Sequence, residues 1–421
     1  MEIIMKTKAV RLHGAMDLRL DEFELPALGE REVLVRFVTD SLCTSTYKAM
    51  KQGTAHKRVP PDVAENPIIV GHEMCGEIVQ VGSALADRWQ VGQKIVIQAA
   101  LKLESGYDPG YSYPYIGGAS TYSIVPELVL ERNCMIPFEG DAFFKGSLVE
   151  PLACCYRGHL GCYHTDPATC VRTDGTKRGG KLAILGGAGP MGIASIELAY
   201  GFAGMSQVVV TGRTQARLDQ AAAKCSPARA AEHGCELIYL KTSDLEDPVA
   251  KLRELSDGGF DDVFVMAPAP ELFTMAEQIC REDGCINFFA GPSDRGMQGS
   301  LNIYRIHYDG IHVLGTGGSI PQDMMDVIRL IEQESINPSA MVSHILGLNA
   351  YVDTLKAMET PNGAKKICYT GLNIPLIAID ELAELGKTDP LYAALADIVA
   401  RHDGLWCTEA EQYLLEHAPR L

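Results

Sequence analysis

Six short, almost wholly apolar runs lie between residues 181 and 318: KLAILGG, QVVVTG, ELIYLK, DDVFVMAP, CINFFAG and IHVLGTGG. Helical patterns separate them. Strands apolar on both faces are covered on both faces, and crossover helices supply that cover. The expected fold here is a doubly wound parallel sheet. Its first strand runs into Gly187-Ala188-Gly189-Pro190-Met191-Gly192. A Gly-x-Gly-x-x-Gly string is a weak signal alone, but a strong one directly after a strand and at the start of a helix. The first glycine is expected to make the tight turn, the second to admit a pyrophosphate, and the third to let the helix pack on the strand. The helix N-terminus then offers amide donors to the phosphates.

Which dinucleotide is expected depends on the end of the second strand. An NAD site places an acid about 20 residues beyond the last glycine to hold the ribose hydroxyls. The position is Gly212 in VVVTGRTQARL, and Arg213 follows it. A carboxylate there repels a ribose phosphate, whereas a guanidinium attracts one. NADP(H) is therefore favoured over NAD(H), with Arg213 first and Arg217 second as phosphate partners. The competing reading makes both arginines solvated surface groups. Thr211 and Thr214 add hydroxyls.

The first third reads differently. KAVRLHG, LRLDEFEL, EVLVRFV, EIVQVG and KIVIQAAL carry β-branched and aromatic residues broken by Gly and Pro, as in a compact β-barrel-like domain. The formal net charge of −17 argues against nucleic acid and anionic membrane as partners. No run approaches a bilayer span, and MEIIMKTKAV lacks the pattern of a secretory leader. The 13 cysteines show no framework of a secreted mini-domain, so a reducing cytoplasm is the expected compartment.

PIIVGHEMCGEIVQVG places His72 and Glu73 between two apolar runs. Cys43, in SLCTSTYK, and Glu150, in SLVEPLACC, are further candidates. Cysteine, histidine and carboxylate are suitable zinc ligands, and three of them plus an open position is the catalytic arrangement. Distance in sequence leaves the grouping unproven by spacing alone.

The order Cys43, Gly71-His72-Glu73, Glu150-Pro151 and Gly187-Ala188-Gly189-Pro190-Met191-Gly192 resembles the zinc-dependent medium-chain dehydrogenase/reductase family over about residues 6–370. The Glu-Pro pair resembles the polyol, sorbitol dehydrogenase-like branch. The resemblance implies an α/β protein with a GroES-like barrel (1–152 and 319–370), a Rossmann domain (153–318), and zinc in the cleft between them. Residues 371–421 lie beyond it as a helical extension, where Asp389-Pro390 reads as a helix start and Thr408 with Glu411 as a capping box. Oligomer bridging or regulation is open for that tail.

By position, the resemblance makes Cys43 and His72 zinc ligands. Either carboxylate can complete the set. Glu150 is taken as the ligand, with Glu73 beside it as an exchanging or supporting group. Ser45 begins the proton relay. The aspartate that orients the histidine in the family is replaced by Thr46. Residues 98–118 contain none of the four cysteines of the family's structural zinc, so one catalytic Zn2+ and no structural zinc is expected. A tyrosine-rich loop stands there, for substrate, subunit contact or packing.

CTSTYK, EPLACCYRGHLGC, YRIHYDG and the tail look most like L-sorbose 1-phosphate reductases, which form glucitol 6-phosphate. Lys48, Lys57, Arg58 and Arg305 are candidates for holding the phosphate. The alternatives are a general polyol or secondary-alcohol dehydrogenase using NAD or NADP, and a catalytically silent cofactor-binding protein. The resemblance also implies a homodimer or homotetramer.

Overall fold

The computed structural model describes residues 5–359 and 363–421. Residues 1–4, part of the segment MEIIMKTKAV, lie outside it. The chain divides into two compact units, 1–150 with 320–328 and 342–421, and 151–319 with 329–341. The second unit thus takes residues 329–341, and the first takes the tail.

In the first unit, an eight-stranded sheet is built around Val33–Ser41. This strand pairs antiparallel with Met74–Val81, Lys365–Tyr369 and Tyr122–Val125. Its residues are buried at nearly every position, because both faces meet protein. One core joins Val33, Phe37, Ile78 and Ile95; another joins Val10, Leu12, Met50 and Tyr351. A three-stranded sheet joins Asp17–Glu24, Lys6–Gly14 and Ile68–Ile69.

The tail forms the helices Leu382–Leu385, Pro390–Arg401 and Thr408–His417. Asp389 caps the second through the Leu391 N–H, as expected. The Thr408–Glu411 capping box does not form. Thr408 Oγ1 bonds Asp141, and Glu411 reaches another helix altogether, accepting from the N–H groups of Phe143 and Phe144. Those donors open the helix Phe143–Ser147, which leads directly to Val149–Gly161 and Glu150. Trp406 is fully buried and donates to Tyr369 Oη at 2.8 Å, and Tyr369 Oη bonds Glu411 at 3.0 Å. The tail is therefore part of the first unit's core and braces the segment carrying Glu150.

The second unit has a six-stranded parallel sheet in the order Glu236–Lys241, Gln207–Gly212, Lys181–Leu185, Phe260–Val265, Cys280–Phe288, His312–Gly315. Ala183, Val209, Val263 and Ile286 share its core. The order reverses at Lys181–Leu185, the strand that runs into the glycine motif, and open parallel sheets bind ligands beyond such a strand end. The helix after the motif is Pro190–Gly201.

Candidate functional site

In the first unit, Cys43 is the N-cap of the helix Thr44–Gln52, with Leu42 between it and Val33–Ser41. His72 and Glu73 fill the gap between Ile68–Ile69 and Met74–Val81. Gly71 makes that gap passable. Its φ is +92°, and a Cβ there would come within 2.5 Å of Asp40 Oδ2. The donor atoms of Cys43, His72 and Glu73 all lie within 4.8 Å of one another. Burial lowers the His72 pKa to about 4, so the ring is neutral with an imidazole lone pair to offer. Burial pushes the Cys43 thiol up to about 12, a preference a bound dication reverses by stabilising the thiolate. The donor set suits zinc.

Thr46 Oγ1 stands 3.1 Å from His72 Nδ1, so a hydroxyl engages the nitrogen the family's aspartate would hold. Nδ1–H donation to it leaves Nε2 for a metal. Ser45 Oγ lies 2.9 Å from Cys43 Sγ and 3.4 Å from His72 Nε2. Glu150 sits in the first turn of Val149–Gly161, half-buried. It is outside the cluster of three but close enough that its charge acts on Tyr111 and Lys365.

Two neighbours of the site escaped the sequence reading. Lys365 donates to both oxygens of Glu73, and both side chains are buried. Burial opposes its ammonium, but the Glu73 carboxylate outweighs that and the pKa is raised. Nothing local in AKKICYT marks this lysine. Its partner is 292 positions away. The second is Tyr111, from the tyrosine-rich loop. Its Oη is 3.2 Å from His72 Nε2. Arg58 lies over the Tyr111 ring at 4.9 Å and pairs with Asp108 at 2.8 Å. His56 stacks on the same ring, and its pKa falls to about 4 through burial and the charges of Arg58, Lys57 and Lys48. Three of the expected phosphate partners therefore share one field beside His72. Arg305 belongs to the second unit, where it is bonded to Glu277, Asp309 and the Cys280 carbonyl.

In the second unit, the glycine motif differs from expectation in one detail. The turn residue is Gly186, with φ +69°, and not Gly187. Gly192 does permit close packing, since a Cβ there would overlap the Gly187 carbonyl oxygen at 1.9 Å. Gly189 caps the helix that Pro190, Met191 and Gly192 begin, and its Cα faces open space. The nearest atom to a Cβ built there is Arg217 Nη2, at 4.0 Å. A backbone open to a ligand, helix N–H donors and a nearby guanidinium fit a dinucleotide phosphate. Thr211 serves the turn itself: its hydroxyl accepts from Gly186 N–H and its carbonyl from Gly187 N–H, both at 3.1 Å. Gly212 ends the strand, and Arg213 and Thr214 are exposed after it.

Residues 29–132 match the alcohol dehydrogenase GroES-like domain family, and residues 190–333 match the zinc-binding dehydrogenase family. The chain is 43% identical over 415 residues to L-sorbose 1-phosphate reductase of Klebsiella pneumoniae, covering 98% of each chain. It is 40% identical over 414 residues to mannitol-1-phosphate 5-dehydrogenase of Aliivibrio fischeri, again covering 98% of each. Among solved structures, 2R,3R-butanediol dehydrogenase from Bacillus subtilis superposes with a TM-score of 0.70 at 21% identity, over 86% of this chain and 99% of that one. The chain belongs to the zinc-dependent medium-chain dehydrogenase/reductase family, in its polyol branch. It is a zinc-dependent alcohol or polyol dehydrogenase with a nicotinamide cofactor.

Proposed function

We propose that this enzyme reduces a ketose phosphate with NADPH, and that the substrate is L-sorbose 1-phosphate, giving glucitol 6-phosphate. The observation that carries this reading is Arg58 held over Tyr111 beside His72, with the charges of Lys48 and Lys57 acting on His56, which stacks on the same ring. A net charge of −17 repels a dianion, so local cations are needed to hold one. Arg58, held against Tyr111, offers a planar fork for phosphate oxygens. The names of two relatives, both acting on hexitol or ketose phosphates, point the same way.

Cys43, His72 and Glu150 are proposed to hold one zinc ion, with Glu73 kept beside it by Lys365. When bound, the metal supplies Lewis acidity toward a carbonyl oxygen, and the nicotinamide supplies the hydride. The chain's own residues do the rest. Thr46 fixes the His72 ring. Ser45 is placed to pass a proton to the developing alkoxide, since its hydroxyl already bridges the Cys43 and His72 donors. Tyr111 covers the imidazole and keeps water from it. Arg213 and Arg217 are proposed to hold the extra phosphate of NADP(H).

A second copy of the chain is proposed to pair along His312–Gly315, the sheet's edge strand. Val313 is exposed on it, and the nearby helix Ile303–Tyr308 exposes Ile303, Tyr304 and Tyr308. An apolar unpaired edge is a surface that association covers.

The test is the variant Lys57→Ala/Arg58→Ala. We expect KM for L-sorbose 1-phosphate to rise about 100-fold, from two lost charge-assisted contacts of about 1.4 kcal/mol each. The rate on L-sorbose is expected to stay within about threefold. Equal losses on both substrates would remove the phosphate clamp.

A further inference from the structure

We propose a second metal site, buried in the dinucleotide-binding unit, in which Cys162, Cys285, Asp262 and His164 hold a thiophilic divalent cation, Zn2+. It is independent of the catalytic centre, shares no residue with it, and raises the metal content beyond the single zinc expected from the sequence.

The strand register builds it. Asp262 and Cys285 are direct register partners on the neighbouring parallel strands Phe260–Val265 and Cys280–Phe288, so their side chains emerge side by side on one face. The two-stranded ribbon Tyr163–Thr165 with Arg172–Asp174 presents His164 to the same place, and Cys162 immediately precedes it. The donor atoms of Cys162, Asp262 and Cys285 lie within 4.8 Å of one another, and all three residues are fully buried. His164 Nε2 stands outside that cluster of three but 3.3 Å from Asp262 Oδ1, and joins the set by a shift of its ring on binding. Two nitrogen or oxygen ligands about 2.0–2.1 Å from a tetrahedral zinc stand about 3.3 Å apart.

The remaining atoms of the set are already held in the way ligands are held. His164 Nδ1 bonds the Asp283 carbonyl at 2.9 Å, which makes Nδ1 the donor and leaves Nε2 toward Asp262. The second Asp262 oxygen accepts from Lys177 N–H at 2.9 Å. Such outer partners orient metal ligands and fix the histidine tautomer. A set of two sulfurs, one nitrogen and one oxygen in a closed, buried space selects zinc among common divalent ions. On binding, the two thiols release their protons and any proton on Nε2 leaves. The site then carries two thiolates, a carboxylate and a neutral imidazole against a dication. Bound metal fastens the ribbon to the sheet, a structural function with no part in hydride transfer.

The experiment is metal analysis of the full-length protein expressed with zinc and freed of loosely bound ions. Wild type should hold about two zinc ions per chain. The variant Cys43→Ser/His72→Ala, which leaves the second unit untouched, should keep about one. Adding Cys285→Ser should remove it. Retention of no zinc in Cys43→Ser/His72→Ala overturns the site, as does zinc that survives in the triple variant. Should the triple variant not fold, cobalt replacement in Cys43→Ser/His72→Ala decides the matter. A thiolate-to-cobalt charge-transfer band supports the site, and its absence refutes it.

Discussion

Both carboxylate oxygens of Glu73 accept from the Lys365 ammonium at 2.5 Å, and both side chains are buried. Two buried charges gain their worth only from each other. Removing one leaves the other stranded, at a cost of about 3–5 kcal/mol. Lys365→Met should therefore lower the unfolding free energy in urea by about that amount, and Glu73→Gln/Lys365→Met should recover most of it. A Lys365→Met variant as stable as wild type would contradict the mutual dependence of the two charges.

Glu150 and Glu73 are distinguishable by zinc affinity. As a direct ligand, Glu150 replaced by alanine should lose zinc about 100-fold or more. As a supporting group, Glu73 replaced by glutamine should lose about 10–100-fold. Competition with a chelator of known affinity ranks the two. Full zinc and full activity in Glu150→Ala contradict the assignment.

The guanidinium groups of Arg213 and Arg217 follow the strand end where a carboxylate would select NAD. Each should contribute about 1.5 kcal/mol toward a ribose phosphate, so either alanine variant should reduce the NADPH-to-NADH ratio of kcat/KM about tenfold. An unchanged ratio in both variants removes the argument for NADP.

Glu411 gives the tail a pH signature. Burial raises its pKa to about 7, against the Phe144 and Phe143 N–H bonds and the Tyr369 hydroxyl that favour its charge. The folded chain then binds the proton more tightly than the unfolded one. This contribution to stability is full below about pH 4.5 and is lost as pH rises through about 7. Between those values the wild-type Tm should fall more steeply with pH than that of Glu411→Gln. Parallel profiles would contradict the assignment.

Much of this was legible because it is local. The glycine string between an apolar run and a helix specifies its own geometry, and the tail helix starting at Pro390 carries its signal in Asp389. Cys43 and His72 were placed by the order of motifs. What was missed depends on contacts far apart in sequence. Lys365 reaches Glu73 through the pairing of Lys365–Tyr369 with Val33–Ser41, which no window around residue 365 contains. Tyr111 reaches His72 because its loop folds inward where a cysteine lobe was missing. Glu411 lies three residues after Thr408 with the spacing of a capping box, yet it caps a helix more than 260 positions away. Competing donors decide such a case, and the nearer donor does not always win. The turn at Gly186 was misplaced by one residue because two adjacent glycines, Gly186 and Gly187, end the strand and only the second starts the Gly-x-Gly-x-x-Gly string.

The central claim is a phosphorylated ketose as substrate. The direct measurement is the initial rate of NADPH oxidation by the zinc-loaded enzyme with L-sorbose 1-phosphate and with L-sorbose at equal concentration. A preference for the phosphorylated sugar of about 100-fold or more in kcat/KM is expected, the equivalent of two charged contacts to the phosphate. Equal or inverted rates would contradict it and make Lys48, Lys57 and Arg58 ordinary surface cations of a general polyol dehydrogenase.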